Sequence, residues 1–245
     1  MASQGEADMI ELAKGDFLRV AGLFDSFGFH RGHWGSVLQG RMEGRVHVDD
    51  TGCPRGAMIW PADGFQYLAS DGHDDAAFLE ACNAVFEREL AGACREVLVA
   101  QAGLAAGIDR VFGGLPHFAV ERFAYRPPSG PPPPVGAPAE GGRFSLSRDE
   151  GSILLTLEDG HGEVGSCRGM VYGRDAEIDI RIVEGRRRQG WGSFLAAEFL
   201  TRCFEAGLVP QWSCWADKEE SNRLARRLGF HSPEVIEVHI YDPES

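Results

Sequence analysis

Residues 187–192 read Arg-Arg-Gln-Gly-Trp-Gly and stand between a strand-like run, Glu177 to Val183, and an apolar helix-like run, Ser193 to Ala206. An Arg-x-x-Gly-x-Gly turn at such a junction suits a pyrophosphate. Its two glycines let backbone N–H groups approach an anion with no Cβ in the way. The first turn of the following helix leaves unpaired N–H groups and a partial positive charge aimed at the same place, and the arginines add formal charge and donors. The expected ligand is a phosphate-bearing cofactor. On the strand before the turn, Glu177 and Asp179 are two residues apart and so share one face of the sheet. A carboxylate there could take a proton from a nucleophile, directly or through water; the alternative is a pair of solvated strand residues or a buried structural Asp.

The elements that must position these residues follow from hydrophobic period and turn signals. After residue 142 the strand candidates are Ile153–Leu157, Glu163–Tyr172, Glu177–Val183, Gln211–Trp215 and Val235–Tyr241, with helices over Ser193–Ala206 and Glu219–Leu228, each helix ending at a glycine. That order predicts an α/β arrangement, a mixed central sheet flanked by helices. Earlier in the chain, helices are expected over Met9–Phe24, Trp34–Arg41 and Ala77–Ala91, and strands over Gly44–Asp50, Gly56–Trp60, Phe65–Ala69, Glu96–Ala100 and Phe118–Tyr125. Between the halves, Pro127–Gly142 is rich in proline and glycine and reads as an extended, semi-rigid linker, a proline-rich recognition motif being the rarer use. The expected organisation is therefore an N-terminal domain over 1–126, a linker over 127–142 and a C-terminal domain over 143–245.

The net charge of −13 argues against a nucleic-acid binder and is compatible with a cationic small molecule. No apolar run is long enough to span a bilayer. The N-terminus lacks an export pattern, and the six cysteines show no metal-ligand spacing, so reduced thiols in a cytoplasmic protein are expected and no metal.

The C-terminal text resembles the GNAT N-acetyltransferase superfamily. The residues that carry the resemblance are Ile180-Arg181-Ile182, the Arg187-x-x-Gly190-x-Gly192 loop, and Leu224-x-x-x-Leu228-Gly229-Phe230. More narrowly, Gly207 to Trp215 with Ser221, Leu224 and Ala225 is similar to the subfamily that includes zwittermicin A resistance proteins. Gly44–Asp50, Pro54–Trp60 and Phe65–Ala69 resemble that subfamily's N-terminal part.

The resemblance implies a tandem GNAT-like acyl-CoA N-acyltransferase fold with a degenerate N-terminal half, and a sheet that splays between its fourth and fifth strands to hold acetyl-CoA. It implies transfer of an acetyl group to a primary amine of a small molecule, antibiotic-like by family analogy. Other readings are an amino acid, polyamine or protein amine as acceptor, or a degenerate acyl-CoA-binding module without turnover; a homodimer is left open. Ile182 matches the position whose N–H polarises the thioester carbonyl, with Ile180 beside it. Arg187, Arg188, Gln189, Gly190, Trp191 and Gly192 match the pyrophosphate loop, and Arg186 stands where it could reach the ribose 3′-phosphate. Asp179 matches an acidic position of the subfamily and is the first candidate for the general base, with Glu177, which shares its strand face, the second. Ser221 and Asn222 are expected to contact the cofactor. The sequence departs from the family at Arg188, where glycine is usual and a positive φ would strain the loop; at Lys218, where asparagine is usual; and at Ala225, the usual place of an acidic tyrosine. Cys214, Ser221 and His231 are the candidate substitutes for that acid, the alternatives being a buried strand thiol, a helix-packing or pantetheine contact and a surface residue.

Overall fold

The structure, a computed structural model, describes residues 8–73, 75–90, 95–138 and 142–244. In chain order its strands are β1 (Ile10–Glu11), β2 (Gly44–Val48), β3 (Gly56–Pro61), β4 (Phe65–Ser70), β5 (Glu96–Ala100), β6 (His117–Arg126), β7 (Arg143–Arg148), β8 (Ser152–Asp159), β9 (Gly162–Tyr172), β10 (Asp175–Ile182), β11 (Val209–Trp215) and β12 (His231–Tyr241). Its helices are α1 (Arg31–Leu38), α2 (Asp75–Glu89), α3 (Asp109–Phe112), α4 (Trp191–Glu205) and α5 (Glu219–Arg227), with 3-10 turns over Lys14–Phe24, Ala102–Gly107 and Glu184–Arg186. The helix expected over Met9–Phe24 is thus a two-residue strand followed by a 3-10 helix. Gly15 and Gly22 weaken an α-helix there, while Phe17 and Val20, three apart, align on one buried face as a 3-10 helix requires.

The chain forms two compact units of interleaved segments. Met1–Gly28, Val37–Glu121 and Glu237–Ser245 make the first; Phe29–Ser36 and Arg122–Ile236 make the second. The expected division at the linker therefore differs in three places: residues 29–36 and 122–126 join the second unit and residues 237–245 the first.

The two units repeat one strand plan. In the first, β1, β2, β3 and β4 pair antiparallel in succession, α2 crosses over to β5 parallel to β4, and the end of β12 closes beside β5. In the second, β7, β8, β9 and β10 pair antiparallel, α4 crosses over to β11 parallel to β10, and the end of β6 closes beside β11. Each final strand comes from elsewhere in the chain. In the first unit Phe78, Cys82, Val85 and Phe86 of α2 bury against Met58, Trp60 and Leu68. In the second, α4 buries Leu195, Ala196, Phe199, Leu200 and Cys203 in a core with Leu155, Cys167 and Phe230.

The parallel ladders decide which unit can hold a ligand between strands. In the first unit the β4–β5 ladder runs from Phe65↔Val97 to Leu68↔Ala100. Gln101 continues it, its N–H donating to Leu68 O at 2.9 Å and its Oε1 accepting the Ser70 N–H at 3.0 Å. That seam is closed. In the second unit the β10–β11 ladder holds only Asp175↔Val209, Ala176↔Pro210 and Glu177↔Gln211, although β10 continues to Ile182 and β11 to Trp215. The strands part just after Glu177, as the resemblance implies for a sheet that splays.

The proline-rich segment, as far as residue 138, belongs to the second unit rather than standing free. Val135 packs against that unit's core, and Pro128 and Pro138 lie within van der Waals reach of Gly229 and Gly190. Residues 139–141 of the expected linker lie outside the described residues.

Candidate active site

The turn from β10 into α4 is shaped by two left-handed residues. Gly190, the N-cap of α4, has φ 91°, and Arg188 has φ 58°. Arg188 thus adopts the strained conformation that the usual glycine would adopt freely, at a cost of about 1 kcal/mol. No side chain caps α4, so no side-chain oxygen occupies the donors of its first turn. A Cβ on Gly190 or Gly192 would meet nothing closer than 3.7 Å. An uncapped helix start beginning at two glycines fits a diphosphate.

The arginines here have their own partners. Arg187 Nε donates to Ile182 O at 3.2 Å, tying the loop to the end of β10. Arg186 forms an ion pair with the buried carboxylate of Asp159 at 2.8 Å, so its charge is already engaged. Gln189 Nε2 donates to Gly185 O at 3.0 Å. The Trp191 side chain is buried in the core, which leaves only its backbone to face a ligand. Ile180 and Ile182 pack their side chains on the same core, on the α4 face of β10.

On the opposite face of β10 stands Glu177, 5% exposed, while Asp179 two residues on is exposed. Glu177 is covered by α1. Gly32 of α1 would place a Cβ 2.8 Å from Glu177 Cβ, so only glycine lets the helix lie this close. His30, just before α1 and itself left-handed at φ 55°, supplies the carbonyl that starts the helix, accepting from the N–H groups of His33 and Trp34. Four elements then converge on one hydroxyl. Ser213 Oγ on β11 lies 2.8 Å from His30 Nε2, 3.1 Å from an Arg122 amino group on β6, and 3.3 Å from Glu177 Oε1. The same Arg122 group is 3.3 Å from His30 Nε2, and its guanidinium lies 4.4 Å from the Trp215 ring centroid. His30, His33, Arg122 and Glu177 are all buried.

Burial dominates the electrostatics of this cluster. It pushes the Glu177 carboxyl up to about 7, against the opposing effects of His33, the Ser213 hydrogen bond and Arg122. Burial, with Arg122 and His33 nearby, holds the His30 imidazole well below its usual value, so it is neutral. A carboxylate poised near neutrality where two strands part has the properties of a general base. The cluster borders a cavity of about 600 Å³ lined by Arg122, Ser213, Trp215, Lys218, Ser221 and Arg223 among others.

Ser221 lines that cavity and accepts from Trp212 Nε1 at 3.2 Å. Asn222 has a structural position. It is 4% exposed, its amide group donates to the carbonyls of Ala216 and Lys218 at 3.0 Å, and its Oδ1 accepts from Tyr125 Oη at 2.8 Å and Cys214 Sγ at 3.2 Å. This side chain holds the turn into α5 and has no hydrogen-bonding capacity left for a cofactor. Burial raises the Cys214 thiol, and Ala225 is fully buried in the core. Among the described residues no cluster of three or more His, Cys, Asp or Glu is placed to hold a metal, the five described cysteines are free thiols, and no helix is long and apolar enough to cross a membrane. His30, Arg122 and Ser213 escaped the sequence reading. They are single residues spread across the chain, and only the strand pairing brings them together.

Residues 164–238 match the family model described as GNAT acetyltransferase. A curated relative, the uncharacterized N-acetyltransferase YdfB of Bacillus subtilis, is 36% identical over 83 residues, which is 34% of this chain and 31% of that protein. The chain thus spans about a third of the curated relative's length. Among solved structures, a GCN5-related N-acetyltransferase-like protein from Streptococcus suis superposes with a TM-score of 0.59 at 18% identity, covering 92% of this chain and 98% of the other. A GCN5-related N-acetyltransferase from Sphaerobacter thermophilus gives 0.62 at 14% identity, covering 96% and 95%. A tandem GNAT protein from the clavulanic acid biosynthesis pathway gives 0.56 at 13% identity, covering 95% and 97%. The chain therefore has the GNAT fold, and its residues 164–238 are similar in sequence to the GNAT acetyltransferase family.

Proposed function

We propose that the protein is an acetyl-CoA-dependent N-acetyltransferase acting on a primary amine of a small molecule, with Glu177 as the general base. The observation that carries this reading is the fork between β10 and β11, with the bare start of α4 on one side and the buried Glu177 at its root. When bound, acetyl-CoA supplies an acyl group already activated as a thioester. Backbone amides of the 188–192 turn and the first turn of α4 would hold its pyrophosphate, and the backbone of Ile180 and Ile182 along the parted strand would orient the acyl end. Glu177 Oε1 takes the proton of the attacking amine. Asp179, on the same face but exposed, is the weaker candidate for that role. No tyrosine of α5 would stand ready to protonate the leaving thiol, since that position is Ala225. The finer kinship, to the zwittermicin A resistance-like proteins, rests on the run Gly207–Trp215 and is part of the same proposal.

The test is thermal unfolding with and without acetyl-CoA, beside thiol release over a panel of small amines. Acetyl-CoA is expected to raise the melting temperature of the protein and to leave that of Gly190→Asp unchanged, because the new carboxylate occupies and repels the pyrophosphate site. A full shift in the variant would overturn the loop assignment. A shift in the parent protein with no thiol release on any amine would favour a binding module over an enzyme.

A further inference from the structure

Glu177 must exist in two states if it is the base, ionised before it takes the proton and neutral after. Each state needs a different partner in a site where an unsatisfied polar atom is costly. An ionised carboxylate wants a donor. A carboxylic acid wants an acceptor for its own proton. The Ser213 hydroxyl meets both demands, because it has one proton, two lone pairs and a freely turning O–H. Its neighbours set its choices. Arg122 can only donate, and holds one lone pair of Ser213 Oγ at 3.1 Å. Two acceptors compete for the hydroxyl proton: Glu177 Oε1 at 3.3 Å and His30 Nε2 at 2.8 Å, the latter in the tautomer protonated at Nδ1, which the donating Arg122 group 3.3 Å from the same nitrogen also requires.

We propose that Ser213 is a positioning residue whose O–H turns between Glu177 and His30, donating to the carboxylate before proton transfer and to the imidazole after it. With the O–H on His30, the free lone pair of Ser213 accepts the new proton of Glu177. No charge moves onto His30, which suits an imidazole kept neutral by burial beside Arg122. The charged and titratable groups facing Glu177 are His33 from α1, Arg122 from β6 and Asp175 from its own strand. Arg122 can only donate, and Glu177 Oε1 takes its hydrogen bond from the Ser213 hydroxyl. This inference rests on the reading of Glu177 as a base, but its test does not need turnover.

The test is an infrared titration of the carboxyl stretch in the substrate-free protein, with Glu177→Gln to identify the band. Removing the donor in Ser213→Ala favours the neutral acid and is expected to move the midpoint up by about one pH unit. Removing the competing acceptor in His30→Leu leaves the hydroxyl on the carboxylate and should move it down. Ser213→Thr, which keeps the hydroxyl, should titrate like the parent. Opposite signs for the first two variants are the signature of a turning hydroxyl. Ser213→Ala titrating like the parent, or both variants shifting the same way, would overturn the proposal. Melting curves identify a variant that fails to fold, and Ser213→Ala against Ser213→Thr then decides alone. If amine acetylation is found, its acid limb in Ser213→Ala should follow the infrared midpoint; a clean infrared result with no turnover would retain the hydroxyl's role and remove only the enzymatic reading.

Discussion

Glu177 and Asp179 have the same chemistry and opposite surroundings, which makes them separable by experiment. Glu177→Gln should lower turnover by about 100-fold or more, the usual worth of a positioned base, and leave acetyl-CoA binding unchanged. Asp179→Asn should lose no more than about threefold in the same assay. The parent's kcat/KM should fall below pH 7, where Glu177 becomes protonated. The stability effect has the opposite direction. The folded protein holds the Glu177 proton up to about pH 7, whereas the unfolded chain releases it near 4.5. Glu177 therefore favours folding below pH 4.5, and this contribution is lost as pH rises through 7. Replacing the carboxylate by an amide should stabilise the protein at pH 8 relative to pH 4, by at most about 3 kcal/mol, as read from denaturant melts at the two pH values. A residue that weakens the fold when charged and is needed for the reaction is the usual trade at a functional site.

The elements themselves were largely legible. Every strand from β2 to β6 and from β8 to β12, and helices α2, α4 and α5, follow from alternation, apolar stripes and glycine stops. β7 was missed because Arg143–Arg148 is an edge strand with most of its residues exposed, following directly on a Pro/Gly run, so there is little burial pattern to read. α3 is a single turn of four residues, too short to show a period. The proline-rich segment was legible as extended chain but not as a packed one, since proline content says nothing about which surface it lies on. Its docking can be tested. Val135→Asp puts a charge against the second unit's core and should cost about 1–2 kcal/mol, whereas a free tether would tolerate it with no change in melting temperature. Of the candidate site, local spacing singles out the loop and the Glu177/Asp179 pair and puts Asp179 first; burial, which spacing does not reveal, is what favours Glu177. The hydroxyl, imidazole and guanidinium around Glu177 could not, because the β6–β11 pairing and the approach of α1 through Gly32 are set by contacts distant in sequence.

The two units share a plan and differ at one seam. The first has sealed the gap with a full ladder and the Gln101 side chain; the second keeps it open and so can hold a ligand there. Both borrow their last strand. In the first unit the end of β12 pairs with β5 through His239↔Leu98, Ile240↔Val97 and Tyr241↔Glu96. Truncation after Ile236 should leave β5 as a bare edge and lower the stability of the first unit, seen as a separate, earlier melting transition or as loss of solubility. An unchanged single transition would show that this pairing contributes little.

That borrowing has a consequence for how the protein is made. A ribosome releases residues 1–121 long before residues 237–241, yet the first unit lacks its closing strand until those residues emerge. During synthesis the early half must wait, with the β5 edge open, for nearly the whole of the second unit to be translated. Folding of the first unit is thus timed by the emergence of residues 237–241 rather than by its own earlier segments. A gene cut at the proline-rich segment would produce two fragments, each lacking a piece that the other carries.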